Sequence, residues 1–458
     1  MEKMDKREIL RDPFRALMMA VPQGKAVFAL CAVLCAALFA AAMRIADASG
    51  MEGAVMIALC CAAGFAILLC AIAPELKMEK QPLLIWIWPV LLCVLAVLAH
   101  LFMLDIKPGR YGKVLAPLFE EMWNYDLITG FAWADDGWTG VYLFICALIS
   151  RLETFSQLYA VKLVDMICQC LCGAAALRLV RAAGGKLFAA IGAMIACVLA
   201  PTMLFNAGCW AQCDATFAMF ALWGLYFLLD DHPFAGCVLW GLAVGTKLQS
   251  AFLFPLLIVL FMNRRVNLWH ILALAAAAFL SQIAFVIDGQ GIATVMNRYA
   301  EQIAIAKDTF GLADNAPGVY SLMNVASVRE FSGMGLNLGI ASALLVVAAL
   351  LRARRKLTNE ILLLAALLLA CGLPLILPQM TARSLYLAGM LAFCCAGNVK
   401  RFAVALVLEF VSFCSYMQSI FNVTVMPMSV LSIIAIGVAA LVAVDMIALM
   451  MTPEEAEA

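Results

Sequence analysis

Charged side chains are scarce in this chain: Asp, Glu, Lys and Arg make up 13% of its 458 residues, against about a quarter in soluble domains. Hydrophobic residues account for 66%. They recur in runs of roughly 13 to 24 residues along the whole length, as membrane-spanning helices require. This composition excludes an ordinary soluble enzyme. The formal net charge is zero, and nothing in the sequence indicates a nucleic-acid partner.

Several chemical motifs are missing. The chain contains no G-x-x-x-x-G-K-[ST] loop, so it has no ATP site of that kind to drive a pump. It has 3 histidines, and its 18 cysteines show no spacing typical of a metal site. Most of the cysteines fall within apolar runs, where they act as small hydrophobic residues.

The sequence predicts an all-α polytopic membrane protein with about 14 transmembrane helices. Clusters of Lys and Arg follow alternate spans and include Lys77, Arg178, Arg264, Arg352 and Lys400. Because such residues stay on the cytoplasmic side, the pattern places both termini in the cytoplasm. This topology requires that residues 139–150 do not cross, and we predict an interfacial or re-entrant helix there.

The other polar residues gather on the outer side. Two large outer loops are predicted, 105–157 and 288–332, together with short turns near 207–213, 247–250 and 378–383. Five polar motifs fall in these connections. Polar and ionisable side chains are expensive at the end of a spanning helix, so their concentration at one face indicates a binding site.

The sharpest motif is the segment 206–214, which carries Asn206, Trp210, Gln212 and Asp214 between two apolar runs. The indole can stack on a sugar, the amides can hydrogen-bond to it, and the carboxylate can take a proton or a metal. The alternative is an interfacial tryptophan with Asp214 as the N-cap of the next helix. That alternative explains Asp214 but not the other three residues together, so a binding site is favoured.

Lys247 and Arg383 are the candidate cations for a phosphate group. Lys247 lies near the outer end of a short span, with Gln249 two positions later. Taken alone, a lysine at such a position is expected to extend to the membrane surface. Arg383 lies at the outer end of another span, where it can bind a phosphate through two hydrogen bonds or simply anchor the helix at the interface.

Two further motifs lie in the large loops. Asn315 and Tyr320 belong to a sequence with Pro and Gly that is also typical of a plain surface turn. The first loop carries Asp105, Glu120 and Glu121 beside several aromatic residues, a combination suited to carbohydrate binding and general-base catalysis. An interfacial aromatic belt with solvated charges explains the same composition equally well.

In order and spacing, these motifs resemble those of bacterial GT-C glycosyltransferases that use polyprenyl-phosphate sugars, of the mannosyltransferase-like kind. The family segment N-x-x-x-W-G-Q-x-D is similar to Asn206, Trp210, Ala211, Gln212 and Asp214. The segment G-x-x-x-x-x-K-x-Q is similar to Gly241, Lys247 and Gln249. The segment N-A-P-N-x-Y is similar to Asn315, Ala316, Pro317, Gly318 and Tyr320.

The chain departs from the family pattern where the family carries acid–base groups. Arg110 stands at the position of the aspartate that is the family's presumed general base. Thr381 and Ala382 replace the His and Glu of the M-H-E-R-Y segment, while its arginine is kept as Arg383. Another carboxylate must then act as the base, and the candidates are Asp105, Glu120 and Glu121.

The resemblance implies a GT-C-like bundle in three parts. Residues 1–80 hold a cytoplasmic tail and two extra N-terminal spans, residues 81–400 the catalytic or binding core, and residues 401–458 the C-terminal spans and an acidic cytoplasmic tail. A hexosyltransferase of the bacterial plasma membrane is implied. It would move a sugar from a polyprenyl-phosphate donor to a cell-envelope glycan, lipid or protein acceptor on the outer face.

The resemblance also implies roles for the motif residues. Lys247 and Arg383 would bind the donor phosphate. The sugar or acceptor pocket would be lined by Asn206, Trp210, Gln212, Asp214, Gln249, Asn315 and Tyr320. No cofactor is certain, and a divalent cation (Mg or Mn) on Asp214 is compatible with the pattern. Two alternatives stay open: a catalytically silent relative that binds a lipid-linked sugar or partners an active enzyme, and a lipid-glycan flippase or secondary transporter.

Overall fold

The computed structural model describes residues 25–46, 50–81, 83–109, 111–133, 140–309, 311–323 and 328–451. Within these ranges nearly all secondary structure is helical, and one pair of two-residue strands is the only sheet. Most of both predicted tails, and also Arg110, lie outside the described residues.

The helices of the first half follow one another with short breaks. In chain order they are α1 (Lys25–Ala46), α2 (Gly50–Met78), α3 (Leu83–Leu101), a π-helix (Tyr111–Leu115), α4 (Ala116–Trp123), α5 (Leu127–Trp133), α6 (Gly140–Ser150), α7 (Gln157–Ala182), α8 (Leu187–Leu199), α9 (Pro201–Leu204), a second π-helix (Phe205–Cys209), α10 (Asp214–Leu229) and α11 (Pro233–Val244).

The second half continues the same pattern and contains the two strands. In chain order its elements are a 3-10 helix (Leu248–Leu253), α12 (Pro255–Met262), α13 (Leu268–Leu280), α14 (Ile283–Ile287), α15 (Ile292–Thr309), β1 (Ala313–Asp314), a 3-10 helix (Val319–Leu322), α16 (Val328–Arg352), a 3-10 helix (Arg354–Lys356), α17 (Asn359–Ile376), β2 (Met380–Thr381), a 3-10 helix (Ala382–Leu385), α18 (Tyr386–Cys395), α19 (Val399–Phe421) and α20 (Met428–Met451).

Seven helices in the described ranges are long and apolar enough to cross a membrane. They are Gly50–Met78, Gln157–Ala182, Leu187–Cys209, Phe331–Arg352, Asn359–Ile376, Val399–Phe421 and Met428–Met451. Shorter apolar helices lie between them. The prediction of an all-α multi-pass membrane protein is therefore confirmed, whereas the count of about 14 spans and the side that each connection faces stay predictions.

Helix α7 runs through the centre of the bundle. In the described residues it is the most enclosed of the candidate spans, with 83% of its apolar window buried. Close packing requires small residues around it: a Cβ on Gly64 of α2 would lie 3.3 Å from Cys170 Sγ, and one on Gly173 would lie 2.9 Å from the Met194 carbonyl oxygen of α8. Helix α7 therefore packs closely against both α2 and α8.

One end of the bundle gathers basic residues around Asn359. The Asn359 amide donates to the carbonyl oxygens of Ala182 and Leu229, and Arg265 donates to its Oδ1. At the same end of α7, Arg178 pairs with Glu75 of α2 over 3.0 Å. The basic connections after α7 and α12 therefore lie together, as the predicted topology requires.

The other end, termed the motif end, carries Trp210, Asp214, Lys247 and Arg383. The first long loop packs near it against α14 and the start of the second long loop. The Phe131 and Phe285 rings lie 5.1 Å apart, and the Gln290 amide donates to the Ala132 carbonyl. Helix α6 has 11 residues, too few for a comfortable span,. Its Val141 N–H donates to the Gly245 carbonyl.

The two strands bring two of the sequence motifs side by side. Ala313 pairs with Met380 and Asp314 with Thr381, in parallel. Asn315 follows β1 with φ +50°, a left-handed conformation that asparagine tolerates better than most residues,. The strand pair therefore fixes the Asn315 turn beside the segment that carries Arg383.

Candidate functional site

A buried carboxylate, Asp214, lies at the centre of the site. Its side chain is fully enclosed at the first residue of α10. The Lys247 ammonium donates to Oδ1, and the Asn206 amide donates to Oδ2 over 2.7 Å. Arg383 Nη1 lies 3.5 Å from Oδ2. Because an unpaired buried carboxylate is strongly unfavourable, Asp214 depends on these partners.

Lys247 turns into the protein rather than toward the membrane surface. After α11 the chain passes tightly against the end of α13, because a Cβ on Gly245 would lie 2.2 Å from Ser281 Oγ. Lys247 then adopts an extended backbone with φ −158°. Its ammonium lies 5.2 Å from the centre of the Phe217 ring. The side chain as a whole remains 19% exposed.

Arg383 reaches the same carboxylate from the 3-10 helix after β2. Its Nη1 donates to Gln212 Oε1 over 2.6 Å, and its guanidinium carbon lies 5.4 Å from the centre of the Trp210 ring. The side chain is 15% exposed. Amide and indole contacts of this kind hold a guanidinium in place while leaving some of its donors for an anion.

A second buried carboxylate, Asp165 on α7, lies behind Asp214. It is 1% exposed and close enough to Asp214 for the two carboxylates to repel each other. Within the described residues, Asp165 Oδ2 has no hydrogen-bond partner. The cluster of Asp165, Asp214, Lys247 and Arg383 therefore carries a net charge of +1 when Asp165 is protonated and zero when it is ionised.

Tyr416 of α19 completes the site and comes from a part of the chain without any recognised motif. The Asn206 amide donates to Tyr416 Oη over 2.8 Å, and the Tyr416 ring meets Trp210 edge-on at 5.3 Å. Asn206 is fully buried in the second π-helix, and its Oδ1 has no partner in the described part of the chain. A buried acceptor without a partner is unusual, and it marks this position as a candidate ligand contact.

A buried Glu409 holds the segment that precedes Asn206. Its Oε1 accepts from the Thr202 backbone N–H over 2.8 Å and from Thr202 Oγ1 over 2.6 Å. The two side chains are 6% and 1% exposed. Because Thr202 lies in the first turn of the short helix α9, Glu409 supplies the cap that this helix lacks in its own sequence.

The remaining predicted ligand residues lie at the edge of this cluster. Gln249 donates to Ser384 Oγ over 3.1 Å, next to Arg383. Asn315 donates to its neighbour Asp314 over 3.4 Å.

Tyr320 packs on α16, since a Cβ on Gly335 would lie 1.7 Å from its hydroxyl oxygen. Burial raises the pKa of Tyr320, so the hydroxyl stays neutral,. Neither Asn315 nor Tyr320 shows a hydrogen bond to Asp214 among the described residues.

The candidate bases separate into two groups. Asp105 is exposed, accepts a hydrogen bond from Tyr159, and follows the chain segment that touches the site: a Cβ on Gly208 would lie 2.6 Å from the Met103 sulfur. Glu120 and Glu121 are exposed on α4, which packs mainly against α5, α6 and the first π-helix. The structure therefore brings the chain segment just before Asp105, at Met103, against the 206–214 segment, whereas the helix that carries the two glutamates packs mainly elsewhere.

A resident divalent cation does not fit Asp214. Both of its oxygens are engaged by an ammonium, a guanidinium and an amide. No group of three His, Cys, Asp or Glu side chains suited to a metal is found in the described ranges. The cationic side chains thus take the positions that Mg or Mn would need.

Two of the site residues that were not predicted carry a signal in the sequence. Asp165 and Glu409 are ionisable residues inside apolar runs, and such residues mark functional sites by default. Tyr416 gives no comparable signal, because a tyrosine in an apolar helix is ordinary. No protein-family model matches the chain, and no curated protein matches it.

Proposed function

We propose that the chain is an integral-membrane glycosyltransferase that moves a sugar from a polyprenyl-phosphate donor to a cell-envelope acceptor. The observation that carries this proposal is the meeting of Lys247 and Arg383 at Asp214, beside Trp210. Two partly exposed cations next to an indole and free amide oxygens match a ligand that joins an anion to a sugar. The proposal places the motif end outside the bacterial plasma membrane.

The two cations are assigned to the phosphate. During transfer, the acceptor oxygen bonds to the anomeric carbon and the bond from that carbon to the phosphate oxygen breaks. The phosphodiester of the donor becomes a phosphomonoester, which carries more negative charge. Lys247 and Arg383 can stabilise this developing charge because Asp214, Gln212 and Trp210 already hold them in place,.

The neutral groups are assigned to the sugar. Trp210 offers a ring face, and the unpaired oxygens Asn206 Oδ1 and Gln249 Oε1 can accept from sugar hydroxyls,. Asn315 and Tyr320 lie farther out beside the Arg383 segment. There they would contact the acceptor or the outer part of the sugar.

Asp105 is assigned as the base that accepts the proton of the acceptor hydroxyl. It is exposed, and its loop packs on Gly208 within the 206–214 region. Glu120 and Glu121 lie on a helix that packs elsewhere. A carboxylate must lie within hydrogen-bond reach of the proton that it accepts, so proximity favours Asp105.

The test is consumption of the donor by the purified protein. The wild type is expected to consume at least one of a panel of polyprenyl-phosphate sugars, and Lys247→Met and Arg383→Met are each expected to slow this by roughly 100-fold or more. Arg354→Met, at an exposed arginine in the connection between α16 and α17, is the matched control. Wild-type protein that consumes no donor of the panel, or variants that match the control, would refute the assignment.

A silent relative that only binds a lipid-linked sugar is the second candidate. It is favoured by Thr381 and Ala382, which offer no carboxylate or imidazole where the resembled family has them. This candidate predicts that the donor binds to the wild type, that Lys247→Met weakens the binding, and that no sugar is released. The same donor assay, run with a binding measurement, separates the two.

A further inference from the structure

Lys162 of α7 donates hydrogen bonds to the backbone on both sides of Asp105. Its ammonium is buried, with 2% of the residue exposed. It donates to the carbonyl oxygens of Met103, Leu104 and Ile106 over 2.7, 3.0 and 2.5 Å. An ammonium has three hydrogens, so every donor of Lys162 is used.

Tyr159 holds the Asp105 carboxylate itself. It lies three residues before Lys162 on α7, so both side chains project from the same face of the helix,. The Tyr159 hydroxyl donates to Asp105 Oδ1. The ring is enclosed at 8% exposure, whereas Asp105 is exposed.

The contacts of Lys162 go beyond those of a helix cap. Helix α3 ends at Leu101, and a lysine that only satisfied its last carbonyls would reach the residues up to that end,. Lys162 instead reaches past the helix end, and Ile106 lies beyond Asp105. Burying an ammonium is costly, so this arrangement is expected where the backbone around Asp105 must be held rigid.

Helix α7 contacts both the segment 103–106 and the cluster around Asp214. Met103 fills the space in front of Gly208. Asp165 lies one turn beyond Lys162 on α7 and faces Asp214. The same helix therefore positions the Asp105 loop and backs the cation cluster, and it fixes one relative to the other.

We propose that Lys162 and Tyr159 are positioning residues that hold the Asp105 carboxylate for the acceptor hydroxyl. This inference rests on the proposed function. In the step it serves, the acceptor oxygen forms its bond to the anomeric carbon, the bond from that carbon to the phosphate oxygen breaks, and the acceptor proton passes to Asp105. Lys162 and Tyr159 do not touch the substrate and act through Asp105.

Tyr159→Phe tests the hydrogen bond to the Asp105 carboxylate with little change in the shape of the side chain. It removes one hydroxyl, so kcat is expected to fall roughly 10-fold while the donor KM changes less than about twofold, because positioning acts on the transition state. In an Asp105→Asn background the same change is expected to have no further effect. Tyr226→Phe is the matched control, since Tyr226 donates to Asp230 over 3.3 Å near the C-terminus of α10.

Lys162→Met tests the hydrogen bonds to the backbone around Asp105 with a readout other than activity. Hydrogen exchange of the amides of residues 104–107 is expected to rise roughly 10-fold or more, because three carbonyls lose their donor. Lys113→Met, at an exposed lysine of the same loop, is the control. Activity of Lys162→Met is expected to fall in kcat, as for Tyr159→Phe.

The outcomes separate this inference from the proposed function. An active wild type in which Tyr159→Phe and Asp105→Asn act additively overturns the inference and leaves the function standing. Unchanged exchange in Lys162→Met also overturns it. A wild type that transfers no sugar overturns the proposed function and this inference with it.

Discussion

At the residue scale, the site depends on pairings between distant parts of the sequence. Lys247, Arg383 and Tyr416 reach the 206–214 segment from three separate elements. The sequence identifies the residue types, because polar side chains stand out in apolar runs. It does not show which of them meet, since a pair contact depends on how the helices pack. Asp214 shows the difference: its place at the start of a helix is predictable, but its two cations are not, and the N-cap is Cys213 rather than Asp214.

Tyr416 provides the prediction at this scale. Tyr416→Phe removes the hydroxyl that accepts from Asn206, and the donor is expected to bind roughly fivefold more weakly, as for the loss of about 1 kcal/mol. Tyr226→Phe, far from the site, should leave donor binding unchanged. A Tyr416→Phe protein that binds as the wild type does would show that this hydrogen bond does not position Asn206.

At the scale of elements, the hydrophobic pattern of the sequence predicts where helices lie, but it does not predict where a helix is interrupted. The apolar run at 214–229 predicts a span there, and this span coincides with α10 (Asp214–Leu229). The apolar run at 187–206 also predicts one span, but the structure divides this stretch into α8, α9 and a π-helix. Pro201 marks the division in the sequence, since a proline ends or restarts a helix. The restarted helix α9 is held by Glu409 of α19 through Thr202, and the sequence does not show this contact because it depends on how the helices pack.

The contact between Glu409 and Thr202 gives the prediction for this interruption. Thr202→Val keeps the shape but removes one donor to a buried carboxylate, and the free energy of unfolding in detergent is expected to fall by about 1–3 kcal/mol. Thr202→Ser should restore most of the loss.

Thr294→Val is the control, because Thr294 donates only within its own helical turn, to the Gln290 carbonyl. If Thr202→Val is as stable as this control, Glu409 does not support α9.

At the scale of the whole molecule, polar residues divide between two ends of one helical bundle. Lys162 and Arg178 lie on the same helix, about 24 Å apart at 1.5 Å per residue. Lys162 binds the backbone next to Asp105, and Arg178 pairs with Glu75. Charge patterning alone predicts this division, because Lys and Arg bias sets the orientation of spans. Which compartment each end faces is not a property of the fold and stays a prediction.

Cysteine labelling tests the orientation. With a membrane-impermeant maleimide on intact cells, Lys113→Cys is expected to react, and Arg354→Cys only after the cells are permeabilised. Both positions are exposed, and the unmodified protein gives the background from its native cysteines. Labelling of both variants from the same side would contradict the predicted topology.

Photo-crosslinking tests directly whether Lys247 and Arg383 hold the phosphate of a polyprenyl lipid. The probe is a polyprenyl phosphate with a photoreactive group on its first isoprene unit. Cross-links are expected in peptides from residues 206–217 and 247–254, and they are expected to be lost on competition with unlabelled polyprenyl phosphate and in Lys247→Met. Cross-links that fall elsewhere in the bundle, or that persist in Lys247→Met, would contradict this assignment.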